Sequence, residues 1–317
     1  MEKLLEVKDL KKYFDTPRGV LHAVDSVSFD IAERTTLGVV GESGCGKSTL
    51  GRTVLGLLAP TDGTVLFQGE DITGVSGRKR KKYSRDMQII FQDPFSCLDP
   101  RLSVMDLIAE PLDIHHVCKN KKQRSERVLE LMDTVGLAPR FAGSYPHELD
   151  GGRRQRIGIA RALALDPKFI VCDEPVSALD VSIQAQILNL LQDLQETKGL
   201  TYLFITHNLS VVKHISDDIL VMYLGTVVER APKLELYRNP QHPYTQALLS
   251  AIPVPSVQKD RKRIILKGEI TSPVDPKPGC RFAPRCPHAT EECFSVTPAL
   301  QTVGEGHMVA CHHASHA

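Results

Sequence analysis

The residues of this chain whose types and spacing can do chemistry begin at Gly41. The run Gly41-Glu-Ser43-Gly44-Cys45-Gly46-Lys47-Ser48-Thr49 contains GxxxxGK[ST], directly after the apolar stretch Leu37–Val40 and before a helical stretch, Thr49–Leu58. Glycines there let backbone N–H groups turn toward phosphate oxygens, and the helix N-terminus that follows favours an anion. Lys47 has the reach for β and γ phosphates, and the Ser48 hydroxyl is a suitable ligand for Mg²⁺. A second locus is Phe169-Ile-Val-Cys-Asp173-Glu174, an apolar strand ending in two acids. Asp173 at its tip suits Mg²⁺, directly or through water, and Glu174 suits a general base that polarises an attacking water. Two acids at a strand end are a weak signal alone. Downstream of a phosphate loop, and with a further strand leading to His207, they become a strong one.

The third locus is at the C-terminal end. Of eight cysteines, Cys45, Cys97, Cys118 and Cys172 are scattered, whereas Cys280, Cys286, Cys293 and Cys311 cluster with His288, His307, His312 and His313 nearby. In a reducing compartment such a cluster reads as metal ligands before disulfides. Four thiolates can enclose a [4Fe–4S] cluster or a tetrahedral Zn²⁺. The spacing Cys-x5-Cys-x6-Cys-x17-Cys lacks paired CxxC knuckles and does not separate the two.

Elements must position these residues. Leu4–Val7, Ala23–Phe29 and Leu37–Val40 read as strands, and Thr64–Gly69 with Asp71–Ile72 as a hairpin-like edge. Arg124–Val135 carries Val128, Leu131, Met132 and Val135 at helical spacing and stops at Gly136. Lys168–Cys172 and Thr201–Ile205 are strands of the fully buried type. Between them Ile183, Ile187, Leu190, Leu191 and Leu194 form one apolar helix face ended by Gly199. Alternating β and α units with apolar strands imply a largely parallel sheet covered by helices. From about Pro240 prolines recur at 243, 253, 255, 273, 276, 278, 284 and 287 with little periodicity, which reads as a linker before a small metal-stapled appendage.

Composition is that of a soluble globular chain, with 42% hydrophobic and 24% charged residues. The formal net charge of +1 gives no global case for nucleic acid or an anionic membrane. The basic runs Arg78–Lys82 and Lys119–Arg124 read as solvated faces rather than lipid contacts. No apolar stretch reaches the ~18 residues of a membrane span, and the N-terminus shows no signal-peptide pattern. The expected location is therefore the cytosol, with any membrane role exercised through docking onto spanning subunits.

In order along the chain, these motifs resemble the ABC ATPase family over roughly residues 4–235. The resemblance implies an α/β P-loop ABC ATPase with a mixed sheet core, a helical subdomain and a small cysteine-rich C-terminal extension. It places the ATPase domain at 1–235, the helical subdomain at about 93–160, and the extension at 236–317. It also implies roles. Gln92, in Ile-Ile-Phe-Gln-Asp93, matches the glutamine that senses Mg²⁺ and links to the membrane subunits. Asp150-Gly151-Gly152 lies in the signature segment Leu149–Arg156, just before the helical Ile157–Leu165. Ser177-Ala-Leu-Asp180 matches the D-loop, His207 the switch histidine at the γ phosphate, and Tyr13 the aromatic that stacks on adenine. The catalytic set is then Glu174, His207 and Gln92, with Ser48, Gln92 and Asp173 toward Mg²⁺. In this family two ATPase domains face each other head to tail, each ATP lying between one phosphate loop and the other signature.

The signature departs from the family. Asp150 stands where a serine is usual, and Arg153 where glutamine is common. A carboxylate would face the γ phosphate, and like unit charges ~4 Å apart at an effective dielectric near 20 repel by ~4 kcal/mol before relaxation. The alternative is that Asp150 is a helix N-cap turned away from phosphate. The first reading makes the site formed by this signature the weaker of two, and it favours a paralogue as partner ATPase.

The segments Arg238-Asn-Pro-Gln-His-Pro-Tyr-Thr-Gln-Ala247, Gly279–Pro287 and Ser144–Glu148 are similar to ATPases of dipeptide and oligopeptide importers. Some of those carry a [4Fe–4S] cluster in this extension, which tips the cysteines toward iron–sulfur over zinc, in a structural role. The resemblance implies the motor subunit of a peptide importer at the cytoplasmic membrane face. Its partners would be a second ATPase subunit, two permease subunits and an extracytoplasmic binding protein. The competing classes are an ABC ATPase acting on nucleic acid or the ribosome, and an importer ATPase for nickel or metal chelates. Tandem cassettes and a long coiled-coil insertion, which mark the first, are absent from the sequence.

Overall fold

The N-terminal strands are longer than their apolar cores suggest, because each continues through polar residues on its solvent face. In the computed structural model, which describes residues 2–93, 95–252, 263–266, 268 and 272–314, β1 is Lys3–Thr16 and β2 is Gly19–Ala32. They pair antiparallel with several register shifts. After β3 (Thr36–Val40) the phosphate loop leads into α1 (Lys47–Val54), and β4 (Asp62–Phe67) and β5 (Glu70–Asp71) form the expected hairpin. A four-stranded antiparallel sheet runs in the order β2-β1-β4-β5.

By internal contacts the chain divides into one unit of residues 1–74 and 204–317 and another of 75–203. The second unit holds α2 (Gly77–Asp86), β6 (Met87–Ile90), α3 (Val104–Ile114), α4 (Lys121–Thr134), α5 (Gly151–Leu163), β7 (Phe169–Asp173) and α6 (Val181–Lys198). The division falls inside β8 (Thr201–Ile205). Strands β6 and β7 are parallel, as their unbroken apolar runs require. Helix α4 buries Val128, Leu131 and Met132, and α6 buries Ile187, Leu188, Leu191 and Leu194. Gly136 and Gly199 follow them in the left-handed conformation. The basic run Arg78–Lys82 lies on α2, which has no buried residue.

The chain then returns to the first unit with α7 (Leu209–Ile215), β9 (Asp218–Tyr223) and β10 (Thr226–Pro232). Here the sheet is mixed, as the family resemblance implies, where the apolar strands alone suggest a largely parallel one. β3 and β9 are parallel, but β9 and β10 are joined by the two residues Leu224 and Gly225, both at positive φ (42° and 86°), which makes a tight antiparallel hairpin. Helices α8 (Lys233–Arg238), α9 (Pro243–Ser250) and α10 (Glu291–Ser295) follow. Strands β11 (Gln301–Gly304) and β12 (His307–Val309) then extend β10 by antiparallel pairing.

The stretch around Pro240 is a packed helix rather than a linker. Pro243 occupies the first turn of α9, where its missing N–H costs nothing, and His242 caps that helix. Tyr244 and Leu249 of α9 and Phe282 of the cysteine segment share one core cluster with Val40, Val221, Tyr223 and Leu236, and Cys280 and Cys286 pack against it. The linker prolines Pro253 and Pro255 lie outside the described residues. Among the described residues no helix is long and apolar enough to cross a membrane.

Candidate functional site

The first unit supplies the phosphate loop. Gly46 caps α1 at φ 101°, and a Cβ there would meet the Ala23 carbonyl oxygen at 1.9 Å, so only glycine fits. Lys47 is buried, and its ammonium is held by the Gly41 and Glu42 carbonyls at 2.8 and 3.0 Å, with the Cys45 sulfur 3.7 Å away. Burial pushes the Cys45 thiol pKa up, against the lowering effect of Lys47. The loop therefore carries a desolvated cation wrapped in its own backbone, a cradle for a polyphosphate. His207 follows β8 as an exposed residue, after Thr206, whose N–H donates to the Val39 carbonyl (3.1 Å).

Tyr13 lies opposite His22 in the β1–β2 register, and the two rings stack at 3.9 Å with 21° between planes. The Tyr13 hydroxyl donates to Asp25 Oδ1 (2.6 Å), and Asp25 Oδ2 also meets His22 Nδ1 (2.9 Å) and the Arg281 guanidinium. Burial and the Asp25 carboxylate push the Tyr13 hydroxyl up to about 12. Burial works to raise the Asp25 pKa, but the hydrogen bonds from Tyr13 and His22 and the Arg281 charge outweigh it and hold the carboxyl below its usual range.

The second unit supplies the acids. Asp173 ends β7 fully buried, and Glu174 follows at φ 47°, a conformation that costs a non-glycine residue about 1–3 kcal/mol and is kept where a side chain must be aimed. The aim is toward Gln92, whose Nε2 donates to Glu174 Oε2 (3.1 Å). The sequence-separated glutamine and carboxylate are thus brought together. Within this unit the Gln92 amide and Asp173 carboxylate oxygens are hard donors of the kind Mg²⁺ takes, and the Ser48 hydroxyl of the first unit is another such donor.

At the signature, Asp150 caps α5. Its Oδ1 accepts the Arg153 N–H (2.8 Å), and its Oδ2 receives the Arg153 guanidinium (2.6 Å). Asp150 is thus an N-cap, with the Arg153 guanidinium as its counter-charge. The second unit also has an open cavity of about 600 Å³, lined by Gln88, Cys97, Glu110, Pro111, Ile114 and Arg161 among others. Arg161 fixes its wall by donating to the Cys97 carbonyl (2.7 Å).

None of the four C-terminal cysteines is joined in a disulfide. The Cys280 thiol is raised to about 11 by burial, with Cys311 and Cys293 close enough to add to it, and burial and Cys293 also raise Cys286. The His288 and His313 N–H groups donate to the Cys286 and Cys311 sulfurs (both 3.4 Å), a pattern that suits thiolate ligands. Ligating geometry is nevertheless not assembled: among the described residues no three His, Cys, Asp or Glu side chains are placed to hold a metal ion.

Sequence reasoning missed His22, Asp25, Glu42, Tyr244, Arg281 and Arg285. Arg285 forms a two-point ion pair with Glu42 of the phosphate loop (2.7 and 3.1 Å), and the Glu42 N–H donates to the Tyr244 hydroxyl (2.8 Å). The one available signal was the placement of both arginines inside Cys-Arg-Phe-Ala-Pro-Arg-Cys.

Against known proteins, the family profile described as ABC transporter matches residues 24–177, and that of the oligopeptide/dipeptide transporter C-terminal region matches residues 228–293. The chain is 61% identical over 264 residues to the oligopeptide transport ATP-binding protein OppF of Bacillus subtilis (strain 168), covering 83% of this chain and 87% of that one. It is 53% identical over 321 residues to AppF of the same organism, described in the same words, covering 98% and 97%. Among solved structures, the ATP-binding cassette MJ0796, dimeric in a post-hydrolysis state with ADP and Pi, aligns with a TM-score of 0.66 at 30% identity over 72% of this chain and 98% of that one.

Proposed function

The chain belongs to the oligopeptide-transport ATP-binding proteins of the ABC transporter family, and from that we propose that it is the ATP-hydrolysing motor of a peptide importer. The observation that carries the catalytic assignment is Glu174, strained at the tip of β7 with its carboxylate on Gln92. Lys47 and the loop amides from Gly41 to Thr49 bind the polyphosphate, Tyr13 bears on adenine, and His207 contacts the γ phosphate. Ser48, Gln92 and Asp173 would hold Mg²⁺, which supplies charge neutralisation on the phosphates. Glu174 takes a proton from the water that attacks the γ phosphorus, and ADP leaves. Gln92 holds Glu174 until nucleotide engages, which makes it a positioning residue as well as a cation ligand.

In the assembly, Asp150, Gly151 and Gly152 would face ATP held by a second ATPase subunit, a paralogue by the Asp150 argument. Two permease subunits and an extracytoplasmic binding protein complete the importer, with this chain at the cytoplasmic membrane face. The cavity beside Cys97 and α3 is the surface we assign to a permease coupling helix; its support is that it uses the chain just beyond Gln92. For Cys280, Cys286, Cys293 and Cys311 we propose a structural [4Fe–4S] cluster over Zn²⁺. Its support is the resemblance of the extension, whose family profile spans Cys280, Cys286 and Cys293.

The test of the catalytic reading is Glu174→Gln. Turnover of the assembled importer should fall about 10²–10⁴-fold while ATP binding persists, because only proton transfer is removed. Turnover within a factor of about three of wild type would refute the base assignment.

A further inference from the structure

The loop bounded by Cys280 and Cys286 reaches two separate parts of the nucleotide-binding unit. Arg281, with its side chain 12% exposed, donates to Asp25 Oδ2 and to the Leu224 carbonyl. Asp25 in turn holds the Tyr13 hydroxyl and His22, and its own N–H donates to the Gly225 carbonyl (2.8 Å). The Gly225 N–H donates to the carbonyl of Cys45 in the phosphate loop (2.9 Å). Leu224, whose φ of 42° a bulky residue rarely adopts, is thus pinned through its carbonyl by an arginine from the far end of the sequence. Four residues on, Arg285, 9% exposed, grips Glu42 with both terminal nitrogens and also touches the Tyr223 hydroxyl (3.3 Å).

The backbone around this loop prevents it from swinging away. The His22 N–H donates to Pro273 (2.9 Å) and the Asp275 N–H to Val20 (2.9 Å), so residues 273–275 run along the start of β2. Phe282, between the two arginines, is buried edge-on against Tyr223 (5.3 Å) and tilted against Tyr244 (5.4 Å). Tyr244 itself carries the Glu42 N–H. Ion pairs this buried act on geometry: loss of one partner leaves the other desolvated and uncompensated, and the element it held moves.

We propose that Arg281 and Arg285 are positioning residues for ATP. Arg281 sets the Tyr13–His22 platform through Asp25, and Arg285 sets the phosphate loop through Glu42. The C-terminal segment is then a working part of the nucleotide site, and ATP affinity depends on how it is seated. This rests on the assignment of Tyr13 and the Gly41–Ser48 loop to ATP.

The experiment is a pair of double-mutant cycles in the full-length protein, reading equilibrium ATP affinity, with KM and kcat measured in the assembled importer. Arg281→Gln and Asp25→Asn should each weaken ATP about tenfold through KM with kcat retained, and the double variant should be no worse than either single. Arg285→Gln with Glu42→Gln should behave in the same way, and Arg285→Lys should recover part of the loss. ATP affinity unchanged in Arg281→Gln and Arg285→Gln, or losses that simply add in the doubles, would overturn the proposal. A thermal melt of each variant separates loss of fold from loss of affinity, and a variant that loses stability without losing ATP affinity when folded counts against it. Tyr13→Ala tests the underlying assignment independently. If it binds ATP normally while Arg281→Gln does not, the adenine role of Tyr13 fails and positioning through Leu224 and Cys45 stands.

Discussion

At the scale of single residues, Asp150 is the most informative position. Its carboxylate caps α5 and is paired with Arg153, so the two readings of the sequence are not exclusive: the residue is an N-cap and a carboxylate at the signature. Serine is a comparable N-cap, so Asp150→Ser removes the charge while the helix start remains satisfied. Even ~0.7 kcal/mol of relieved repulsion, well inside the ~4 kcal/mol bound for like charges 4 Å apart, changes a rate about threefold. ATPase activity of the importer assembled with Asp150→Ser should therefore rise about threefold or more with little change in melting temperature. Unchanged turnover would mean that the Arg153 pair already silences the carboxylate. Glu174 shows the opposite economy of design: its strained backbone and its bond to Gln92 serve direction, not stability.

At the scale of elements, α9 and the segment that follows it tie the C-terminal extension to the nucleotide-binding core. His242 caps α9 by accepting the Tyr244 N–H on Nδ1 (3.1 Å), which requires a neutral ring. Burial lowers its pKa from 6.5 to about 4, with Glu229 opposing that shift. Because the folded pKa lies below the unfolded one, only the unfolded chain takes up this proton between pH 6.5 and about 4. Stability is therefore complete above pH 6.5 and is lost as pH falls through that window, on the order of 3 kcal/mol in all. In His242→Asn, which keeps a capping oxygen, the fall in thermal midpoint from pH 7 to pH 5 should be visibly smaller than in wild type; parallel curves would remove His242 from the account. The cysteine segment invites an elemental assay. Anaerobically purified protein should carry about four irons and four acid-labile sulfides per chain, lost in Cys286→Ser. One zinc without sulfide would replace the cluster by a tetrahedral site and leave the ATPase assignment untouched.

At the scale of the whole molecule, no described helix is long and apolar enough to cross a membrane, and the proposed importer role is tested by membrane association. Co-expression with the permease subunits should move the protein into the membrane fraction. Bulky substitutions at Cys97 or Ile114, which line the 600 Å³ cavity of the second unit, should return it to the soluble fraction with ATP binding intact. Membrane association that ignores the permease, or that survives both substitutions, would exclude that cavity as the docking surface.

The phosphate loop, β7 with its two acids, β8 and His207, and the amphipathic α4 and α6 were all legible in the sequence, because each depends on interactions within a dozen residues. Apolar periodicity, a Gly-Lys-Ser turn and an acid at a strand end are local statements about backbone geometry and burial. The packed role of residues 240–250, the antiparallel return of β10 to β12 and the two arginine anchors were not legible. Pro243 reads as a loop residue until it is seen at the first turn of α9, and the β9–β10 hairpin turns on a leucine at positive φ, which no propensity favours. Arg281 and Arg285 find Asp25 and Glu42 across more than 240 residues of sequence, with both arginine side chains mostly buried at the contact. Contacts of that span are set by how the core closes, which is why the local motifs could be read from the chain and the packing of the two arginines against them could not.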